Sequence, residues 1–269
     1  MKSGFIECTL AGLIAASDYA ASAEQLAAAH GVLQAIDPRV KVAGLFALVL
    51  AAAAARNLAT VAGLFVCALL LAGLSRIRLQ RLSGWVWTPV LFFTGTIALP
   101  AVFLTPGRTL AAWGPVAVSA PGLASAALLV ARAETAATLA ALLVLTTPWP
   151  WVLKSLRVFR CPVLVVAILG MTYRYIFVIL ETALDMFESR KSRTVGSLAP
   201  AERRRLAAAS AGVLLSKSLQ LSADVHLAMQ ARGFRGEVYL LDDFRARPAD
   251  WGWCAGFALL AAAALWGGR

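Results

Sequence analysis

Two histidines and four cysteines are the only imidazole or thiol ligands in this 269-residue chain. Cys8, Cys67, Cys161 and Cys254 are far apart, and none pairs with another as C-x-x-C. They read as four small buried hydrophobes rather than a disulfide framework or a zinc site. With only His30 and His226, a transition-metal site built by this chain alone lacks its commonest ligand type. The chain has no G-x-x-x-x-G-K-[ST] loop, no G-x-S-x-G elbow and no H-E-x-x-H pair. No catalytic residue, metal ligand or bound cofactor is therefore expected, and hydrolysing a nucleotide unaided is excluded.

Charge placed at depth or at a helix end is what remains. Arg132 and Glu134 lie in the middle of one apolar run. At a spacing of two they do not face each other on a helix, so each needs another partner. They are either a polar element on a transport path or anchors that pack this helix to its neighbours, and the structural role is favoured. The string Ala228-Met229-Gln230-Ala231-Arg232-Gly233-Phe234-Arg235-Gly236 ends a helical pattern. Gly233 suits the left-handed cap, which puts the five donors of Arg232 in the last turn at a projecting tip. Ser189-Arg190-Lys191-Ser192-Arg193-Thr194 is a second basic end. Cations at helix C-termini are ordinary, worth about 0.3–1 kcal/mol each through the dipole. Within one basic insertion, however, two arginine tips on one face make a protruding connector for an acidic groove.

Composition says what carries these groups. Apolar residues make up 60% of the chain and charged residues 14%, with 25 Lys+Arg against 14 Asp+Glu, a net charge of +11. A soluble domain carries about 25% charge, so a water-soluble enzyme is excluded. A nucleic-acid binder is excluded too, since its charge would cover a polar face.

The expected fold class is an all-α polytopic membrane protein with about five transmembrane helices and a cytoplasmic module of amphipathic helices. Residues 1–36 read as an N-terminal amphipathic membrane-surface segment, helical over about 4–29. Asp37-Pro38-Arg39 marks a helix start, with Asp37 as N-cap and Pro38 in the first turn. Residues 37–147 hold four spans: Val40–Ala55, Leu58–Leu74, Trp85–Leu104 and about Pro121–Thr147. A loop, Thr105–Ala120, separates the last two, with Trp113 as an interfacial anchor. Arg76, Arg78 and Arg81 place the end of the second span on the cytoplasmic side. Residues 148–250 form the cytoplasmic module, and residues 251–269 a fifth span over Trp251–Trp266.

The module is set apart by charge. Fifteen of the 25 basic residues and eight of the 14 acidic ones fall between Pro148 and Arg247, a net +7. Pro162–Leu180 and Leu206–Leu221 are apolar enough to suggest spans. A crossing by the first would put Arg190, Lys191, Arg193 and Arg203-Arg204-Arg205 outside, against the positive-inside rule. It would also bury Arg174 at depth. Arg174, Glu181, Asp185, Glu188 and Ser192 draw one polar stripe. Ser210, Lys217, Gln220 and Asp224 draw another, opposite Leu214, Leu221 and Val225. Two amphipathic helices, about 162–193 and 202–232, follow a short one near Trp151–Arg160. Gly196 and Pro200 supply the turn between the two long ones.

Taken together these strings resemble the T component of energy-coupling factor (ECF) transporters, in its cobalt-type CbiQ branch. The similarity is carried by Leu33-Gln34-Ala35-Ile36-Asp37-Pro38-Arg39-Val40-Lys41, Thr172-Tyr173-Arg174-Tyr175-Ile176 and the Ala228–Gly236 string. It implies a non-catalytic membrane scaffold in the inner (cell) membrane of a prokaryote, with its N-terminus and coupling helices cytoplasmic. It implies as partners two ABC-type ATPase subunits, which bind the ATP and Mg, a substrate-binding membrane subunit and the lipid bilayer, with no nucleic acid. Two helix-end Ala-Arg-Gly motifs dock into the ATPases in this family. Ala231-Arg232-Gly233 matches the second fully. The first maps to Ser192-Arg193-Thr194, keeping only the arginine, or to Ser189-Arg190-Lys191. Cobalt is the expected cargo, with nickel or biotin as alternatives. The competing class is a self-sufficient secondary transporter using Arg132 and Glu134.

Overall fold

The computed structural model of the chain describes residues 6–15, 31–75, 77, 79–105, 109–113, 116–194, 199–234 and 248–268. Most of the expected 4–29 helix, together with Arg76, Arg78 and Gly196, lies outside these residues. The order is α1 (Ile6–Ala15), α2 (Val32–Ala35), α3 (Pro38–Ala54), α4 (Leu58–Leu74) and α5 (Leu79–Leu82). A π-helical turn at Ser83–Trp87 leads into α6 (Thr88–Leu104), and strands β1 (Thr109–Trp113) and β2 (Val116–Ser119) follow. The chain continues through α7 (Ala120–Thr146), α8 (Trp149–Val158), α9 (Val163–Arg193), α10 (Pro200–Ala231) and α11 (Pro248–Gly267).

Local chemistry sets the helix starts. The Asp37 carboxylate accepts the Arg39 N–H at 2.8 Å, with Pro38 in the first turn of α3. Asn57 caps α4 by accepting the Ala59 N–H at 3.2 Å, and Ser119 caps α7 by accepting the Gly122 N–H at 3.2 Å. Each cap satisfies one of the first N–H groups, which have no partner within the helix. The loop expected between the third and fourth spans contains more order than its sequence suggested. β1 and β2 pair antiparallel, Trp113 opposite Val116 and Ala112 opposite Ala117, so their backbone groups are satisfied within the hairpin. Apart from this hairpin, the all-α membrane architecture stands as expected.

The chain divides into two units, Met1–Ala23 with Leu156–Asp243 and Glu24–Ser155 with Phe244–Arg269. In the second unit α3, α4, α7 and α11 share one core, where Leu45, Leu48, Leu64, Leu71, Leu139, Leu142 and Phe257 pack among alanines. Small residues bring backbones close, as is usual between membrane helices. A Cβ added at Gly44 would collide with the Phe257 ring on α11. One added at Gly122 would meet the Ala101 carbonyl oxygen of α6 at 2.6 Å. Because that neighbour is backbone, Gly122→Val is expected to destabilise the α6–α7 pair by about 1–3 kcal/mol. The effect is measured as earlier thermal aggregation of the detergent-solubilised chain, and an unchanged profile would contradict the close approach.

Among the described residues, four helices are long and apolar enough to cross a membrane: Ser83–Phe103, Ala120–Thr146, Val163–Arg193 and Pro248–Gly267, with Leu58–Leu74 shorter. Length and composition thus admit α9, whose apolar first half is set against its basic end only by the charge rule. Outward-facing Phe92 and Phe93 on α6 and Leu259 and Trp266 on α11 suit contact with lipid. The cysteines correct the sequence reading: Cys8 and Cys254 are exposed, and Cys67 and Cys161 half-buried. On a helix of the membrane unit, an apolar neighbourhood in sequence marks lipid as readily as protein.

In the first unit, Ile6 and Leu10 of α1 pack with Phe187 of α9, and Leu184 and Leu206 lie alongside. Arg174, Glu181, Asp185, Glu188 and Ser192 are all exposed on α9, so the stripe read from spacing faces away from the packed core. On α10 the half-buried seam is Leu214, Ser218, Leu221, Val225 and Met229. Ser210 corrects the second stripe: it is 2% exposed, one helical turn before Leu214 and on the packed seam with it.

Candidate functional site

The α10 tip is built by its backbone. Ala231 is the last helical residue, Arg232 the C-cap, and Gly233 adopts φ +80°. The Gly233 N–H donates to Gln230 O at 2.9 Å and the Phe234 N–H to Met229 O at 3.0 Å. This pair of bonds is the Schellman termination, which a left-handed glycine permits without a Cβ clash. Arg232 is therefore one residue beyond the last turn where the sequence reading put it. Ala231, Arg232 and Gly233 are all exposed.

α9 ends differently. Arg190, Lys191 and Arg193 occupy its last turn, and Thr194 leaves in an extended conformation at φ −101°, ψ 116°. The Thr194 hydroxyl donates to Arg190 O and the Ser192 hydroxyl to Ser189 O, both at 2.8 Å. The Thr194 bond satisfies a carbonyl that the helix end leaves open. Ser192 and Arg193 are exposed, while Arg190 is half-buried.

The two tips do not share a face, which corrects the single connector inferred from sequence. Arg190 and Arg193 lie beside Glu202 and Arg205 around one cavity, whereas Met171 and Tyr175 lie with Val225 and Met229 around another. α10 thus returns antiparallel along α9, and Arg232 ends up near the start of α9. At 1.5 Å per residue the two arginine tips are on the order of 40 Å apart. The signal was present in the sequence, since only residues 194–199 connect α9 to α10 and short connections give antiparallel neighbours.

The membrane unit holds the remaining candidates. Asp37, Pro38 and Arg39 start α3, and the Asp37 N–H donates to Asp250 Oδ1 of α11 at 3.1 Å. Lys41, 1% exposed, donates from Nζ to Thr146 O at the end of α7, at 3.0 Å. One polar knot therefore joins one end of α3 to α7 and α11. Asp250 and Thr146 were not singled out from sequence, because neither belongs to a motif and both partners are remote in the chain.

At the other end of α3, Arg132 donates from both Nε and Nη2 to the carbonyl of Ala55, the C-cap residue. The Arg56 N–H donates to Gly268 O at 2.9 Å, closing α11 against the same turn. Glu134 points elsewhere. It is 8% exposed, and neither carboxylate oxygen has a hydrogen-bond partner among the described residues. Arg132 and Glu134 are thus not a pair, as their spacing required. Among the described residues, no three His, Cys, Asp or Glu side chains converge to hold a metal.

Comparison with known proteins gives the family. The family model described as cobalt transport protein, CbiQ, matches residues 30–240. An uncharacterized protein of Methanocaldococcus jannaschii is 33% identical over 213 residues, 77% of this chain and 73% of that one. The cobalt transport protein CbiQ of Rhodobacter capsulatus is 33% identical over 168 residues, covering 60% of this chain and 66% of that protein. The energy-coupling factor transporter transmembrane protein EcfT of Lactobacillus helveticus is 25% identical over 161 residues, 55% and 57% of the two chains. The matched region runs from just before the capped start of α3 past the glycine-capped end of α10, and a chain of apolar helices so matched belongs to the CbiQ cobalt transport protein family.

Proposed function

We propose that the chain is the transmembrane coupling (T) subunit of an ATP-driven ECF-type uptake transporter, with cobalt as its cargo. In this reading it performs no chemistry. Two ABC-type ATPases bind ATP and Mg, and the chain passes their closure to a substrate-binding membrane subunit.

The observation that carries the reading is the pair of exposed arginine tips at opposite ends of one stiff helical hairpin. Two separate ATPases need two separate docking points. Ala231-Arg232-Gly233 serves one. Arg193, flanked by Ser192 and with Arg190 one turn back, serves the other. Exposed Val213, Leu215, Leu219 and Leu227 on α10 give an apolar surface against which a membrane subunit can slide. The basic ends of α9 and α10 favour a cytoplasmic position for both, with the N-terminus on the same side. Cobalt follows from the names of the family and of the Rhodobacter relative.

The test is co-purification. Affinity capture of the tagged chain from cells expressing its neighbouring reading frames should bring down ATPase subunits and a second membrane protein. Capture of the chain alone would remove the coupling role.

Glu134 favours a second reading, a secondary transporter, because a buried carboxylate unpartnered among the described residues is where a coupling ion could sit. Glu134→Gln separates the two. A coupling subunit keeps ATP-driven uptake and gains thermal stability, since the buried carboxylate has no compensating bond among the described residues. A transporter coupled through Glu134 loses uptake while remaining folded.

A further inference from the structure

The cavity at the connected end of α9 and α10 is about 660 Å³ in volume, within the roughly 300–1,000 Å³ typical of small-molecule sites. Arg190, Arg193, Arg205, Ser189 and Glu202 line it. The Glu202 carboxylate turns back to accept the Ala199 N–H at 3.0 Å, closing the first turn of α10. No carboxylate among the described residues pairs with any of the three arginines. The cavity thus gathers three guanidiniums against one committed carboxylate, a net charge of +2 that an anion would neutralise.

Guanidinium forks match phosphate and carboxylate oxygens alike. A carboxylate has only two oxygens and suits one or two forks. A phosphate dianion has three terminal oxygens and the matching charge. The cavity is also much larger than one ion needs, and Met186 and Leu206 give it an apolar floor. We propose that it binds the phosphate of an organic phosphate, a phosphomonoester or an anionic lipid headgroup, held by Arg190, Arg193 and Arg205. Arg190 and Arg193 are shared with the proposed docking tip, whereas Arg205 is not, so a change at Arg205 tests the cavity without touching either tip.

The test titrates the purified full-length chain in neutral-lipid nanodiscs with glycerol 3-phosphate. In parallel, retention of phosphatidate is measured by native mass spectrometry after reconstitution in nanodiscs containing it. Saturable binding of at least one probe is expected. Arg205→Gln should weaken it about tenfold or more, while Arg204→Gln, outside the cavity, should change it by less than about twofold. Arg205→Lys keeps the charge without the fork and should fall between, which keeps the test decisive if Arg205→Gln misfolds. Glycerol 3-phosphate binding identifies a soluble ligand, and phosphatidate retention alone identifies a lipid. Binding of neither probe, as for a cavity that takes only an acidic side chain of a partner protein, overturns the proposal. So does an equal loss in Arg204→Gln and Arg205→Gln.

Discussion

Arg232→Glu is expected to abolish ATP-driven uptake and to remove one ATPase from the solubilised complex, leaving the chain inserted and its other tip engaged. Truncating or reversing one member of a docked, hydrogen-bonded charge pair costs about 2–5 kcal/mol, a weakening on the order of a hundredfold. Gly233 stays in place in this variant, so the Schellman end at Met229 and Gln230 persists and the tip keeps its position. Because the arginine tips are on the order of 40 Å apart, their losses should be independent. Native mass spectrometry of the captured complex reads the result as a shift from two ATPases to one. Replacing Arg190, Lys191 and Arg193 together should remove the other one, since all three lie in the last turn of α9. Two ATPases retained in the Arg232→Glu complex would mean that this tip does not dock.

The second large effect is expected at Arg132. Arg132→Leu should lower the melting temperature of the purified chain more than any other single change in the membrane unit, by an amount corresponding to about 3 kcal/mol. Two charge-assisted contacts to the Ala55 carbonyl are lost, and that helix-end oxygen is left inside the bundle without its donor. Arg132→Lys retains one donor and should fall roughly midway. An anchoring role requires the loss of uptake across these variants to follow the loss of stability. Full thermal stability in Arg132→Leu combined with no uptake would instead put Arg132 on a transport path.

The contrast between Arg132 and Glu134 shows where sequence reading reaches its limit. Their spacing excluded a mutual pair, and that conclusion held because it rests on helix geometry alone. It did not supply the partner of Arg132, a backbone oxygen 77 residues away, nor show that Glu134 has none among the described residues. The cysteines and Ser210 failed for a related reason. Hydropathy reports how apolar a neighbourhood is, but not whether a given face meets lipid, water or another helix. Lys41 was legible as part of the helix-start string, whereas its bond to Thr146 was not.

Sequence by itself determined the membrane class, the helix start at Asp37 and the glycine stop at Gly233. The family resemblance followed from the same local strings. Each of these depends on interactions within a few residues: a side-chain cap, a missing Cβ, or a run of apolar groups long enough to cross a bilayer. Only the tertiary structure decided that the two arginine tips lie at opposite ends of a hairpin, that Arg132 closes the α3–α4 turn, and that three arginines share one cavity. Those outcomes depend on which faces of remote helices pack together, and packing is a property of the assembled chain rather than of any stretch of it.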